Sequence, residues 1–137
     1  MDEKYISDYE MLYRAVLKSN PSVYVNGKPT AALFMDDKGV SVERDGERSE
    51  EEIVETLTQR FRKNQGYENA VKIRAGVCRE IGTYPNPVGN KKNKFHAEIH
   101  ESEKIIPISI LKALRLAKEC EIVKPMDSES KKEKTEQ

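Results

Sequence analysis

The chain has 137 residues, with 24 Lys plus Arg balancing 24 Asp plus Glu, a hydrophobic share of 36 % and a charged share of 35 %. A balanced charge gives no overall field to steer the molecule to nucleic acid or to an anionic membrane, so any such binding has to come from a local patch. No apolar run approaches the ~18 residues of a membrane-spanning helix, and the two cysteines, Cys78 and Cys120, lie far apart with no leader before them, which points to a reducing, cytoplasmic setting.

In chain order, Ser7-Asp8-Tyr9-Glu10 has the hydroxyl and the glutamate of a capping box, and Tyr9, Leu12, Tyr13, Val16 and Leu17 recur at helical spacing up to Asn20-Pro21. This predicts a first helix that follows the Ser7 cap and is ended by Asn20-Pro21. Val23, Tyr24 and Val25, then Asn26-Gly27 and Asp36-Asp37-Lys38-Gly39, read as short strands and turns. Strands are expected near 22–25, 31–35 and 40–44, although Pro29 could instead start a helical turn over Thr30 to Phe34. Ser49-Glu50-Glu51-Glu52 opens a second helix, whose buried face is Ile53, Val54, Leu57 and Phe61 and which Gly66 stops. Its carboxylates lie at the positive end of the helix dipole, and Arg60, Arg62 and Lys63 lie at the negative end.

Ala70 to Gly76 alternates apolar and basic residues, the period of a half-buried strand, with Lys72 and Arg74 on its polar side. Thr83 to Lys94, rich in Pro, Asn and Gly, reads as a basic loop. Phe95, Ala97 and Ile99 then alternate with His96, Glu98 and His100, predicting a strand that buries the first set and presents both histidines on its other face. After Pro107 a third helix carries Ile110, Ala113, Leu114, Ala117 and Cys120, followed by an edge strand at Ile122-Val123. The expected fold is α+β: a mixed or antiparallel sheet of about four or five strands with three helices mainly on one face. One globular domain over 1–125 and a disordered charged tail over 126–137 complete the expectation.

Chemistry concentrates at His96, Glu98 and His100, whose side chains would stand about 7 Å from their next neighbours along a strand. Such a row could ligate a divalent metal, or Glu98 could orient His96 as a general base, and the spacing does not choose between them. The plainer reading is the wet face of a half-exposed strand. Arg44 and Arg74 offer guanidinium forks for a carboxylate or phosphate, against the plainer reading that they pair with the many glutamates. Lys91, Lys92 and Lys94 could touch nucleic-acid phosphates or simply be solvated. Cys78, beside Arg79, could form a nucleophile pair with His96 if the fold brought them together, although a buried thiol is the plainer reading.

Through Pro21, Tyr24, Gly27-Lys28-Pro29-Thr30, Ala32, Phe34, Gly39-Val40-Ser41-Val42-Glu43-Arg44, Ala75-Gly76-Val77-Cys78-Arg79, Pro87 and His96-Ala97-Glu98-Ile99, the chain resembles a family of small uncharacterised bacterial proteins. That family often carries Trp at the position of Tyr24 and Asp at that of Glu43. The resemblance implies no reaction, but it groups Thr30, Ser41, Arg44 and His96 as a shared site. The first functional expectation is a binding or accessory protein of a bacterial or mobile-element system, holding an anionic small ligand or a protein partner through Thr30, Ser41, Arg44, Arg74 and His96. The alternative is a small hydrolase or nuclease in which His96, with Glu98, acts as base or metal ligand while Arg44 neutralises an anionic transition state.

Overall fold

A computed structural model describes residues 1–63 and 65–123. The expected tail over 126–137 lies outside the described residues. The fold is α+β, built on an antiparallel six-stranded sheet and a separate two-stranded hairpin. In chain order the elements are β1 (Met11–Leu17), β2 (Tyr24–Val25), β3 (Lys28–Pro29), β4 (Val40–Arg44), α1 (Glu50–Arg60) and β5 (Tyr67–Arg74). Then follow α2 (Ala75–Ile81), β6 (Tyr84–Pro87), β7 (His96–His100), α3 (Ile110–Glu119) and β8 (Glu121–Val123). The large sheet runs in the order β6-β7-β4-β1-β5-β8.

The expected first helix is β1, at the centre of the sheet between β4 and β5. Leu12 and Val16, four apart, share a face at either a helical or a strand period, so their spacing could not choose. Pairing decides. Leu12 and Val16 enter one apolar cluster, while Tyr13 enters another on the opposite face, and Tyr9, which should have opened the helical stripe, is 85 % exposed. The capping motif forms only as a turn, in which the Ser7 N–H donates to Glu10 Oε2 and the Glu10 N–H to the Ser7 carbonyl.

Asn26 and Gly27 both have positive φ, at 54° and 74°, as the turn between β2 and β3 requires. The strand expected at 31–35 is instead a 3₁₀ turn, Ala31–Phe34, that buries Leu33 and Phe34. Burying such side chains contributes roughly 1.5–3 kcal/mol each. Helix α1 starts as expected, with the Glu52 N–H donating to Ser49 Oγ at 3.2 Å. Its Glu50 carboxylate accepts from both Tyr13 Oη and Lys72 Nζ, tying the first turn to β1 and β5.

Two further departures come from chain geometry. The strand expected over 70–76 ends at Arg74, and Ala75 begins α2, an unexpected helix that closes on Gly82 at a left-handed φ of 101°. Part of the expected basic loop is β6, an edge strand. The Val88 N–H bonds to the His96 carbonyl, which places Asn86 and Tyr84 toward β7 and leaves Pro85 and Pro87 facing the open edge, where no N–H is needed.

Two of the three helices lie on one face and the third on the other. Residues of α2 and α3 pack with Leu12, Val40, Val42, Ile73, Ala97 and Ile99. Helix α1 packs through Ile53, Val54 and Leu57 against Tyr13, Ala70 and Val123 on the other side. That second face has a helix over β1, β5 and β8, while its β4 and β7 half carries Ser41, Glu43, His96 and Glu98 instead. No helix among the described residues is long and apolar enough to cross a membrane.

Candidate functional site at a split in the sheet

The pairing of β1 with β4 covers only Leu12 with Arg44 and Tyr13 with Glu43, after which the strands part. A cleft of about 510 Å³ opens at the split. Arg14, Ala15, Ser41 and Val42 line it from the two strands, Val23 from a 3₁₀ turn at Pro21–Val23, Leu33 from that at Ala31–Phe34, and Leu57, Arg60 and Phe61 from the end of α1. Asn93, Lys92 and His96 add a polar wall.

Arg14 bridges the split. Its Nε donates to the Leu33 carbonyl at 2.6 Å and its Nη1 to the Ser41 carbonyl at 2.8 Å. The rest of its fork, including Nη2, makes no hydrogen bond among the described residues, and no described carboxylate lies within ion-pairing distance. Burial pulls this guanidinium down to about 10, with Asp36 pulling the other way, so it remains charged at neutral pH. This half-buried cation hydrogen-bonds only to carbonyls, feels the Asp36 carboxylate of the same cleft wall at longer range, and keeps donors to spare that can take an anion.

The adjoining carboxylate behaves in the opposite way. Glu43 is only 2 % exposed and accepts from Arg48 Nη2 at 2.9 Å, Arg60 Nη1 at 3.1 Å and Asn93 Nδ2 at 3.0 Å. Burial alone would raise its pKa, but the hydrogen bonds from Asn93, Arg60 and Arg48 outweigh burial and hold it below the ordinary carboxylate range. Its charge is spent inside the protein, where it fixes Arg60 and Asn93 on the cleft wall.

Of the residues expected to form a shared site, His96 and Ser41 line this cleft, and Arg44, Arg74 and Thr30 do not. Alternation puts Arg44 on the opposite face from Glu43. There it is fully buried, donating from Nε and Nη2 to Glu10 and from Nη2 to the Asp2 and Tyr5 carbonyls. Arg44 therefore ties down the N-terminal segment; its Nη1 has no hydrogen-bond partner among the described residues but is fully buried, out of reach of a ligand in the cleft. Arg74 is exposed on β5, three strand spacings or about 14 Å across the sheet from β7. Thr30 Oγ1 donates to the Ser22 carbonyl within the hairpin region.

His96, Glu98 and His100 share one face of β7, as expected, but Glu98 favours His100, at 2.8 Å, over His96, at 3.8 Å. Among the described residues no three His, Cys, Asp or Glu side chains are grouped so as to hold a metal ion. Cys78 is buried in the core on the α2 side of the sheet, the face opposite His96. The three loop lysines are all exposed and diverge, Lys92 lining the cleft while Lys91 and Lys94 border a separate hollow beside β6.

The reading of the sequence missed Arg14, Arg60 and Asn93. Arg60 was explained by the helix dipole, and Asn93 sat unremarked in a loop. Arg14 carried a signal: taken as a strand, the segment places Arg14 on the same face as Leu12 and Val16, a lone cation on an inward side. No family model, no curated protein and no solved structure matches the chain.

Proposed function

We propose that this protein is a binding protein for a small anionic ligand, held in the cleft between β1 and β4 with its charge on Arg14. The carrying observation is the Arg14 guanidinium itself: charged, half-buried, without a carboxylate partner among the described residues, and facing a cleft of ligand size. Its polar neighbours Ser41, Asn93, Lys92 and His96 would orient the ligand, and Leu33, Leu57 and Phe61 would shed water around its apolar part.

Isothermal titration of the full chain against aliphatic carboxylates, inorganic phosphate and nucleotides tests this reading. One anion class is expected to bind, and Arg14→Gln should weaken it about tenfold or more, as the loss of a charge-assisted hydrogen bond does. Absence of binding by every anion at millimolar concentration, or affinity unchanged in a folded Arg14→Gln protein, would overturn it.

The hydrolase or nuclease reading keeps one supporting observation, that His96 lines the same cleft. Turnover of a phosphodiester or ester that disappears in His96→Ala would favour it over simple binding.

A further inference from the structure

We infer that the ligand of this cleft is the carboxyl-terminal end of an extended peptide, a deepening that rests on the anion-binding reading of Arg14. The main chain around the split carries the case. The Ala75 N–H donates to the Glu10 carbonyl, so by alternation Leu12, Arg14 and Val16 turn their backbone groups toward β5. Tyr13 and Ala15 then face β4. The Arg44 N–H donates to the Phe95 carbonyl, which turns Val42 and Val40 toward β7 and leaves Glu43 and Ser41 facing β1. Tyr13 meets Glu43, but the next rung, between Ala15 and Ser41, is missing. The Ser41 carbonyl takes Arg14 Nη1 in its place.

The split therefore holds three things at once: strand backbone lacking a strand partner, a guanidinium with spare donors, and apolar walls on both sides of the sheet. Val23 and Leu33 stand on one side, Leu57 and Phe61 on the other. An extended peptide matches this set, because its side chains alternate between the two faces while its backbone groups lie in the plane between them. Inorganic phosphate would leave the apolar walls unused, and a simple aliphatic acid would leave the Ala15 backbone and the Ser41 N–H without a strand partner. A cleft of about 510 Å³ admits only the last few residues of such a chain.

The test uses the full chain and three probes: acetylated tetrapeptides ending in apolar residues with a free carboxylate, the same peptides amidated, and 3-methylbutanoate. Free-carboxylate peptides should bind, and amidation should weaken them about tenfold or more, the same loss that Arg14→Gln produces. Amidation changes only the ligand, so the comparison stands even where Arg14→Gln disturbs the fold. Should 3-methylbutanoate bind as tightly as the peptides, or amidation change nothing, the peptide inference falls. In that case the anion site survives if 3-methylbutanoate or phosphate binding still needs Arg14. Silence from every probe and every small anion would remove both.

Discussion

Replacing Arg44 with methionine separates a structural arginine from a ligand-binding one. The guanidinium is fully buried and makes four hydrogen bonds, two to the Glu10 carboxylate and two to the carbonyls of Asp2 and Tyr5. Arg44→Met strands a carboxylate whose side chain is only 13 % exposed, together with those two carbonyls. Breaking a buried ion pair from one side costs about 3–5 kcal/mol, a large part of the roughly 5–15 kcal/mol that holds a domain folded. For a chain of this length the midpoint of thermal unfolding should fall by about 10–20 °C. Urea unfolding followed by circular dichroism would measure the loss, and amide exchange over residues 1–10 would show where it acts. Adding Glu10→Gln removes the stranded charge and should recover about 1–2 kcal/mol. A loss under ~1 kcal/mol, with exchange of the N-terminal segment unchanged, would refute the reasoning and return Arg44 to the ligand-binding candidates.

Glu43 should make stability depend on pH at the acid end. Its folded pKa lies below the ordinary value of 4.5, so its contribution is present above that value and is lost as pH falls through the folded pKa. The stability gap between the protein and Glu43→Gln should therefore close as urea titrations move from neutral pH to well below 4.5, and a constant gap contradicts this. Burial raises the Cys78 and Cys120 thiols to about 12. Iodoacetamide at neutral pH should label the buried Cys78 slowly until urea is added and the half-buried Cys120 faster than Cys78, whereas labelling of Cys78 at the rate of a free thiol would disprove its enclosure. Gly39 has a φ of 107°, and a Cβ there would meet the Glu98 carboxylate and His100 Nε2. Gly39→Ala should cost about 1–3 kcal/mol and shift the His100 ring resonances in NMR; unchanged resonances would show that the Glu98–His100 pair does not depend on that glycine.

How much was legible in advance differs between elements for physical reasons. Helix α1 announced itself because its signals are local: a cap, a charged first turn and an apolar stripe all lie within one segment. Strand β7 was equally plain, since strict alternation has no helical counterpart. β1 was misread because Leu12 and Val16 satisfy both periods, and what selects the strand is hydrogen bonding to β5, more than fifty residues away in sequence. Strand β6 hid behind Pro85 and Pro87, which look like loop residues until an open sheet edge makes their missing donors harmless.

The site divides in the same way. Alternation along β7 placed His96, Glu98 and His100 on one polar face, and the sequence by itself determined that much; the pairing of β4 with β7 that sets Ser41 beside Glu98 came from the tertiary structure. Only the tertiary structure decided which arginine joins them. Parity along β4 sends Arg44 to the opposite side, where it is buried against Glu10 and the carbonyls of Asp2 and Tyr5, while the early parting of β1 from β4 opens a cleft at Arg14. Where two strands stop pairing depends on everything packed around them, here the 3₁₀ turns on one side and the end of α1 on the other, and no local pattern encodes it.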